Sequence, residues 1–250
     1  MTERQAPYWE GVPPVLAHGA VVLTGAYGSG KTETSLNLAS YLAGRAEEPV
    51  TLVDLDVVKP YFRARELEER FRRHGVRFMS AAEGFTRADV PAVSGAVLGA
   101  LRLATGRLVI DLAGEKAGAR VLRGFLQGAP DRKVALYLVV NPYRPFTGDV
   151  AGILATAHEL VETAATPLTG LVANPHLLGE TSPARVLSGF GIVAEAAAEL
   201  EVPVAWLGVS ERLAPEVRGR VPVPLFVLRR FLRPPWEEPE SEGVFSSSPE

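Results

Sequence analysis

Residues 25–32 read GAYGSGKT, directly after the apolar run AVVLT and directly before a helical pattern from Glu33 to Leu42. Every fixed position of G-x-x-x-x-G-K-[ST] is filled, in the strand–loop–helix context that the pattern requires. A buried strand must deliver such a loop, its glycines let backbone N–H groups close around an anion, and the next helix points its positive end at that anion. Few folds other than a layered α/β sheet can supply that unit. Gly25, Ala26, Tyr27, Gly28, Ser29, Gly30, Lys31 and Thr32, with Glu33 opening the helix, are therefore the candidate nucleotide-binding set. In a loop of this type Lys31 reaches the β and γ phosphates and the Thr32 hydroxyl ligates Mg²⁺.

The rest of the chain repeats the alternation of strand and helix. Strands are expected at Ala20–Thr24, Val50–Asp54, Arg107–Asp111, Val134–Val140, Leu168–Ala173, Val202–Gly208 and Pro224–Leu228. Helices are expected at Lys31–Gly44, Ala64–Arg73, Pro91–Ala104, Ala117–Gly128, Gly148–Ala164 and Pro183–Leu200. Continuous Val, Leu and Ile runs are buried on both faces, as in a parallel sheet covered by helices. The reading is an α/β, doubly wound, mostly parallel sheet of about seven strands, in three layers. With 250 residues and 47% hydrophobic content, one large domain over residues 1–233 fits better than two small ones. Residues 234–250, PPWEEPESEGVFSSSPE, hold five glutamates and no lysine or arginine and read as a disordered tail.

Composition narrows the functions. With no cysteine and only four histidines, disulfides and thiolate metal sites are excluded and a zinc site is disfavoured. Setting the tail aside leaves 26 basic residues against 29 − 5 = 24 acidic ones, so nucleic acid is not indicated as a partner. No apolar run approaches the length of a membrane span and the N-terminus lacks a secretory core, so a cytoplasmic protein is expected.

In a doubly wound sheet, ligands sit at the carboxyl ends of the strands. Asp111, ending the run RLVI, is the candidate Walker B carboxylate for Mg²⁺, and Gly114 completes D-x-x-G, whose glycine N–H can swing onto a γ phosphate. Asp54 and Asp56 follow TLV; one of them would face the nucleotide and orient water or a metal-bound water. Asn174 follows LTGLVA, and a carboxamide suits the N6/N7 edge of adenine. The continuation Pro175-His176-Leu177 lacks the N-K-x-D carboxylate that would select guanine. Asn141-Pro142, with Arg144 and Pro145, reads mainly as a loop former.

Together GAYGSGKT, DLD at 54–56, DLAG at 111–114 and Asn174 resemble the MinD/ParA/CobQ branch of P-loop nucleotidases, the SIMIBI class. The longer segments LDVVKPYFRARE, DLAGEKAGARVL and NPHLLGETSP resemble an uncharacterised ATP-binding subgroup of it. The resemblance covers residues 18–230. It implies dimerising ATPase switches with ATP and Mg²⁺ as ligands: Lys31 and Thr32 on phosphate and metal, Asp56 positioning the attacking water, Asp111 at the metal, and Asn174 at the adenine; Asp54, from its strand-end position, is a further candidate for the metal. One departure matters: the lysine that normally follows the first loop glycine, and crosses to a partner's nucleotide, is Ala26 here. Lys59, Arg63, Lys116 and Arg120 follow the candidate switch aspartates and could supply that charge; Lys116, two residues beyond Gly114, ranks first as a catalytic cation.

The reading is a Mg-dependent ATPase switch acting with a homodimer partner or another protein. A P-loop phosphotransferase and a nucleotide-gated binding module with negligible turnover are the alternatives. A tyrosine autokinase is disfavoured because the tail has no tyrosine cluster. The lack of a histidine tract or cysteine argues against a GTP-driven metal-insertion chaperone.

Overall fold

The structure is a computed structural model that describes residues 8–45, 48–55, 64–80, 105–114, 116–128 and 133–232. Among the described residues nine strands form one sheet: β1 (Tyr8–Glu10), β2 (Ala20–Thr24), β3 (Val50–Leu55), β4 (Val76–Ser80), β5 (Arg107–Leu112), β6 (Val134–Val140), β7 (Gly170–Ala173), β8 (Val204–Ser210) and β9 (Leu225–Leu228). The order across the sheet is β1-β9-β8-β7-β6-β2-β5-β3-β4. Every pair is parallel except β1 on β9.

Helices cover both faces. On one face, α1 (Lys31–Ala43) and α2 (Ala64–Arg73) pack Leu36, Leu38, Leu42 and Phe71 against Val21, Leu23, Leu52 and Val109. On the other, α3 (Lys116–Gly128), α4 (Val150–Ala164) and α5 (Pro183–Glu199) pack Leu122, Phe125, Ile153, Ala157 and Val193 against Val22, Ile110, Leu136 and Leu138. A one-turn helix, α6 (Ala214–Val217), follows β8. Period 2 along each strand explains the division: neighbours such as Val21 and Val22 point to opposite faces, and both faces are dry. Local capping sets the helix starts. Asp149 accepts the Gly152 N–H (2.8 Å) before α4, and Ser182 accepts the Arg185 N–H (3.3 Å) before α5.

The three-layer α/β/α architecture is the expected one, with two strands more than expected. Both additions, β1 and β4, lie at the sheet edges. Edge strands carry short, mixed sequences, here YWE and VRFMS, because only part of their surface is buried. The expected helix Pro91–Ala104 and the tail 234–250 fall outside the described residues, as do Asp56, Lys59 and Arg63.

An aromatic cluster closes the β1 edge. Trp9 stacks on Phe226 with ring centroids 4.5 Å apart and meets Trp206 edge-on at 5.3 Å, while Tyr41 of α1 meets the same group. Offset and edge-on pairs are the favoured aromatic geometries. Arg218 fixes the strand further by donating Nε–H to both oxygens of Glu10 (3.0 and 2.9 Å).

Candidate nucleotide-binding site

The candidate residues gather where β2, β5 and β3 end. The register aligns Leu23 of β2 with Asp111 of β5, and Asp111 with Asp54 of β3. Partners in a parallel register share a face, so both carboxylates lie on the α1 side of the sheet, below the loop that begins α1. Asp111 is 2% exposed and Lys31 is 4% exposed. Burying charges of both signs at one end of the sheet is costly unless each is compensated, and it is characteristic of a site built for a charged ligand.

Between β2 and α1, the loop turns through Gly28 (φ +78°) and Gly30 (φ +86°), both in the left-handed region that a side chain resists. Gly114 approaches so closely that a Cβ there would lie 2.1 Å from the Gly25 carbonyl oxygen. Thr24 also donates its hydroxyl to the Ala113 carbonyl (3.4 Å). The D-x-x-G segment therefore rests directly on the first residue of the phosphate loop.

The loop is held from its outer side. Arg144 Nε donates to the Gly28 carbonyl (3.2 Å), Asn141 Nδ2 reaches the same oxygen (3.4 Å), and Asn174 Nδ2 donates to the Ser29 carbonyl (2.7 Å). Asn141 also joins the loops after β6 and β7, with Nδ2 donating to the His176 carbonyl (2.9 Å) and Oδ1 accepting the His176 N–H (3.3 Å). His176 sits among these groups. Burial and the neighbouring Arg144 push its imidazole down to about 4, although a hydrogen bond to the Gly28 backbone works the other way.

The structure gives several side chains contacts that the sequence does not show. The Glu33 carboxylate accepts the N–H groups of Phe231 (2.5 Å) and Leu232 (3.0 Å) from the segment after β9. Burial pushes that carboxyl up to about 7, against the pull of the two N–H groups. Lys116, ranked first as the substitute cation, pairs with Glu159 of α4 at 3.1 Å on an exposed face. It shares that face with Arg120, Arg123 and Glu162. Asn141 and Arg144, read as loop formers, contact the phosphate loop itself. Their signal was present in the sequence as a second strand-end asparagine, but nothing local showed what it would touch.

Hard oxygen donors suit Mg²⁺, and the Thr32 hydroxyl with the Asp111 and Asp54 carboxylates offers that chemistry here. The Ser29 hydroxyl, 1% exposed, has no hydrogen-bond partner among the described residues, an orphan consistent with a polar ligand at this loop. Among the described residues there is no cluster of three or more His, Cys, Asp or Glu side chains. Nor is any described helix long and apolar enough to cross a membrane.

A parallel sheet with helices on both faces, a glycine-turned loop delivering a buried lysine, and a buried aspartate on the adjoining strand define a P-loop nucleotide-binding protein. Residues 21–178 match the CbiA family, the CobQ/CobB/MinD/ParA nucleotide binding domain, and the chain belongs to it. No curated protein matches the sequence. Among solved structures, the cell division protein FtsY of Thermotoga maritima is similar at 23% identity and TM-score 0.52, over 78% of this chain and 63% of that one. Chloroplast FtsY from Physcomitrella patens is 24% identical, with TM-score 0.49, over 78% and 59%. A nucleotide-binding protein in complex with ADP from Archaeoglobus fulgidus is 18% identical, with TM-score 0.45, over 74% and 79%. The chain spans about three fifths of the length of the FtsY structures, and at these identities the likeness establishes the fold alone.

Proposed function

We propose that the chain binds ATP with Mg²⁺ and hydrolyses it as a nucleotide-dependent switch in the cytoplasm, acting on a second copy or another protein. The observation that carries the reading is the phosphate loop with Lys31 at its end and Gly114 of D-x-x-G packed on its first residue. A segment seated there is placed to respond to a γ phosphate, which is the physical basis of a switch. Bound Mg²⁺ would neutralise charge on the β and γ phosphates, with Thr32, Asp111 and Asp54 as the donors. Asp56 remains the candidate for orienting water. The absence of N-K-x-D after β7 supports adenine over guanine.

One observation favours the slower alternative, a nucleotide-gated binding module. Lys116 is engaged by Glu159, and Ala26 brings no charge of its own. Turnover without a partner should therefore be slow.

Calorimetry with ATP·Mg²⁺ and GTP·Mg²⁺, followed by phosphate release, tests the reading. Lys31→Ala should cut triphosphate affinity roughly tenfold to a hundredfold, the worth of one charge-assisted hydrogen bond, about 1.5–3 kcal/mol. Unchanged affinity would remove the central claim, and tighter GTP binding would reverse the base assignment.

A further inference from the structure

The outer side of the phosphate loop carries a specific set of donors. In a loop whose N–H groups turn inward to an anion, the carbonyl oxygens turn outward, and where that side is enclosed each needs a donor. Gly28 and Ser29 present two such oxygens. They are met by Arg144 Nε (3.2 Å), Asn141 Nδ2 (3.4 Å) and Asn174 Nδ2 (2.7 Å).

The sheet places these donors. Val140 of β6 is in register with Ala173 of β7, so Asn141 and Asn174 stand side by side at the ends of paired strands. The Asn174 N–H donates to the Val140 carbonyl (2.8 Å), which locks the two ends together. Asn141 is fully buried and Asn174 is 5% exposed. The loop glycines are shaped to the same donors. A Cβ at Gly30 would lie 2.2 Å from Asn174 Nδ2, and one at Gly28 would lie 2.8 Å from Arg144 Nε. These side chains thus occupy the room that the two glycines leave open.

We infer that Asn174 and Arg144, aligned by Asn141, are positioning residues that preset the phosphate loop from its carbonyl side, so that they govern affinity for the phosphate chain whatever the base. The inference rests on the nucleotide-binding reading and deepens it. It changes the role of Asn174 from a reader of adenine to a brace of the loop. Without the brace, the loop must be ordered at the moment of binding, and that cost is subtracted equally from every ligand that uses it.

The test is affinity of the full chain, by calorimetry with Mg²⁺, for ATP, GTP and inorganic tripolyphosphate, which has no base. Asn174→Ala should weaken all three by a similar factor of about ten, the equivalent of one hydrogen bond. A loss confined to ATP would restore the base-reading role and overturn the inference, as would wild-type affinity for all three. Arg144→Lys keeps the charge but not the Nε donor and lies on a partly exposed side chain, so it carries the test if Asn174→Ala does not fold. It should also weaken the three ligands in parallel, and full retention of affinity would overturn the inference. If the wild type binds none of the three, the nucleotide reading itself fails, and the inference with it.

Discussion

At the scale of residues, His176 shows how closely the loops after β6 and β7 are packed against the phosphate loop. Its imidazole is pushed from 6.5 to about 4, first by burial and then by Arg144. A folded-state value below the unfolded one means that the unfolded chain takes up the proton first, so acid favours unfolding. The stability that His176 protects is intact above about pH 6.5 and is lost as pH falls toward about 4, by no more than about 3 kcal/mol and less for a side chain that keeps some contact with water. Thermal melts of wild type and His176→Asn over that window are the check. The wild type should lose more stability on acidification than the variant, and parallel curves would show that the imidazole is not the group responsible. The sequence displayed His176 as one residue of a turn. Its environment comes from Arg144, distant in sequence, and from Arg230 of the last described segment.

At the scale of elements, α1 does two jobs from opposite sides. Its first turn delivers Lys31 and Thr32, while Glu33 and Asn37 one turn apart hold the segment after β9. Asn37 exchanges both hydrogen bonds with the Arg229 backbone (2.7 and 2.8 Å), and Glu33 takes the N–H groups of Phe231 and Leu232. Phe231 then meets Phe71 of α2 with centroids 5.0 Å apart, under the guanidinium of Arg70. The segment is thus a strap from β9 across α1 to α2. Glu33→Ala removes the acceptor for two partly buried N–H groups, at roughly 1–3 kcal/mol. Hydrogen exchange should rise at Phe231 and Leu232 well before it rises in β9. Unchanged protection there would mean that packing of Phe231, and not the carboxylate, holds the strap. In the sequence Glu33 stands beside the phosphate-loop motif, and nothing local announces the segment that its carboxylate holds.

At the scale of the whole molecule, the sheet is finished by a strand that the apolar pattern does not announce. Tyr8-Trp9-Glu10 pairs antiparallel with β9, and Trp9 stacks on Phe226 beside the fully buried Trp206. Trp9→Ala should destabilise the fold by roughly 2–4 kcal/mol, somewhat below the cost of deleting a fully enclosed aromatic. Because β1 lies four strands from β6 and five from β2, triphosphate affinity of the folded variant should be unchanged. Urea unfolding gives the first quantity and calorimetry the second; a loss of affinity in step with stability would show that edge and site behave as one cooperative unit.

What the sequence determines by itself is what short-range rules encode. The loop GAYGSGKT, the doubly buried strands β2, β5 and β6, helix α2 at its observed bounds, and Asp111 at a strand end are all fixed by residues within one element of each other. What only the tertiary structure decides is what those elements meet. Asn174 bonds a residue 145 positions away, Leu232 bonds one 199 positions away, and Lys116 finds Glu159 only because α3 and α4 lie side by side. Periodicity tells which face of a strand or helix is apolar, but contacts between distant strand ends depend on the order and register of the whole sheet, which no local pattern carries.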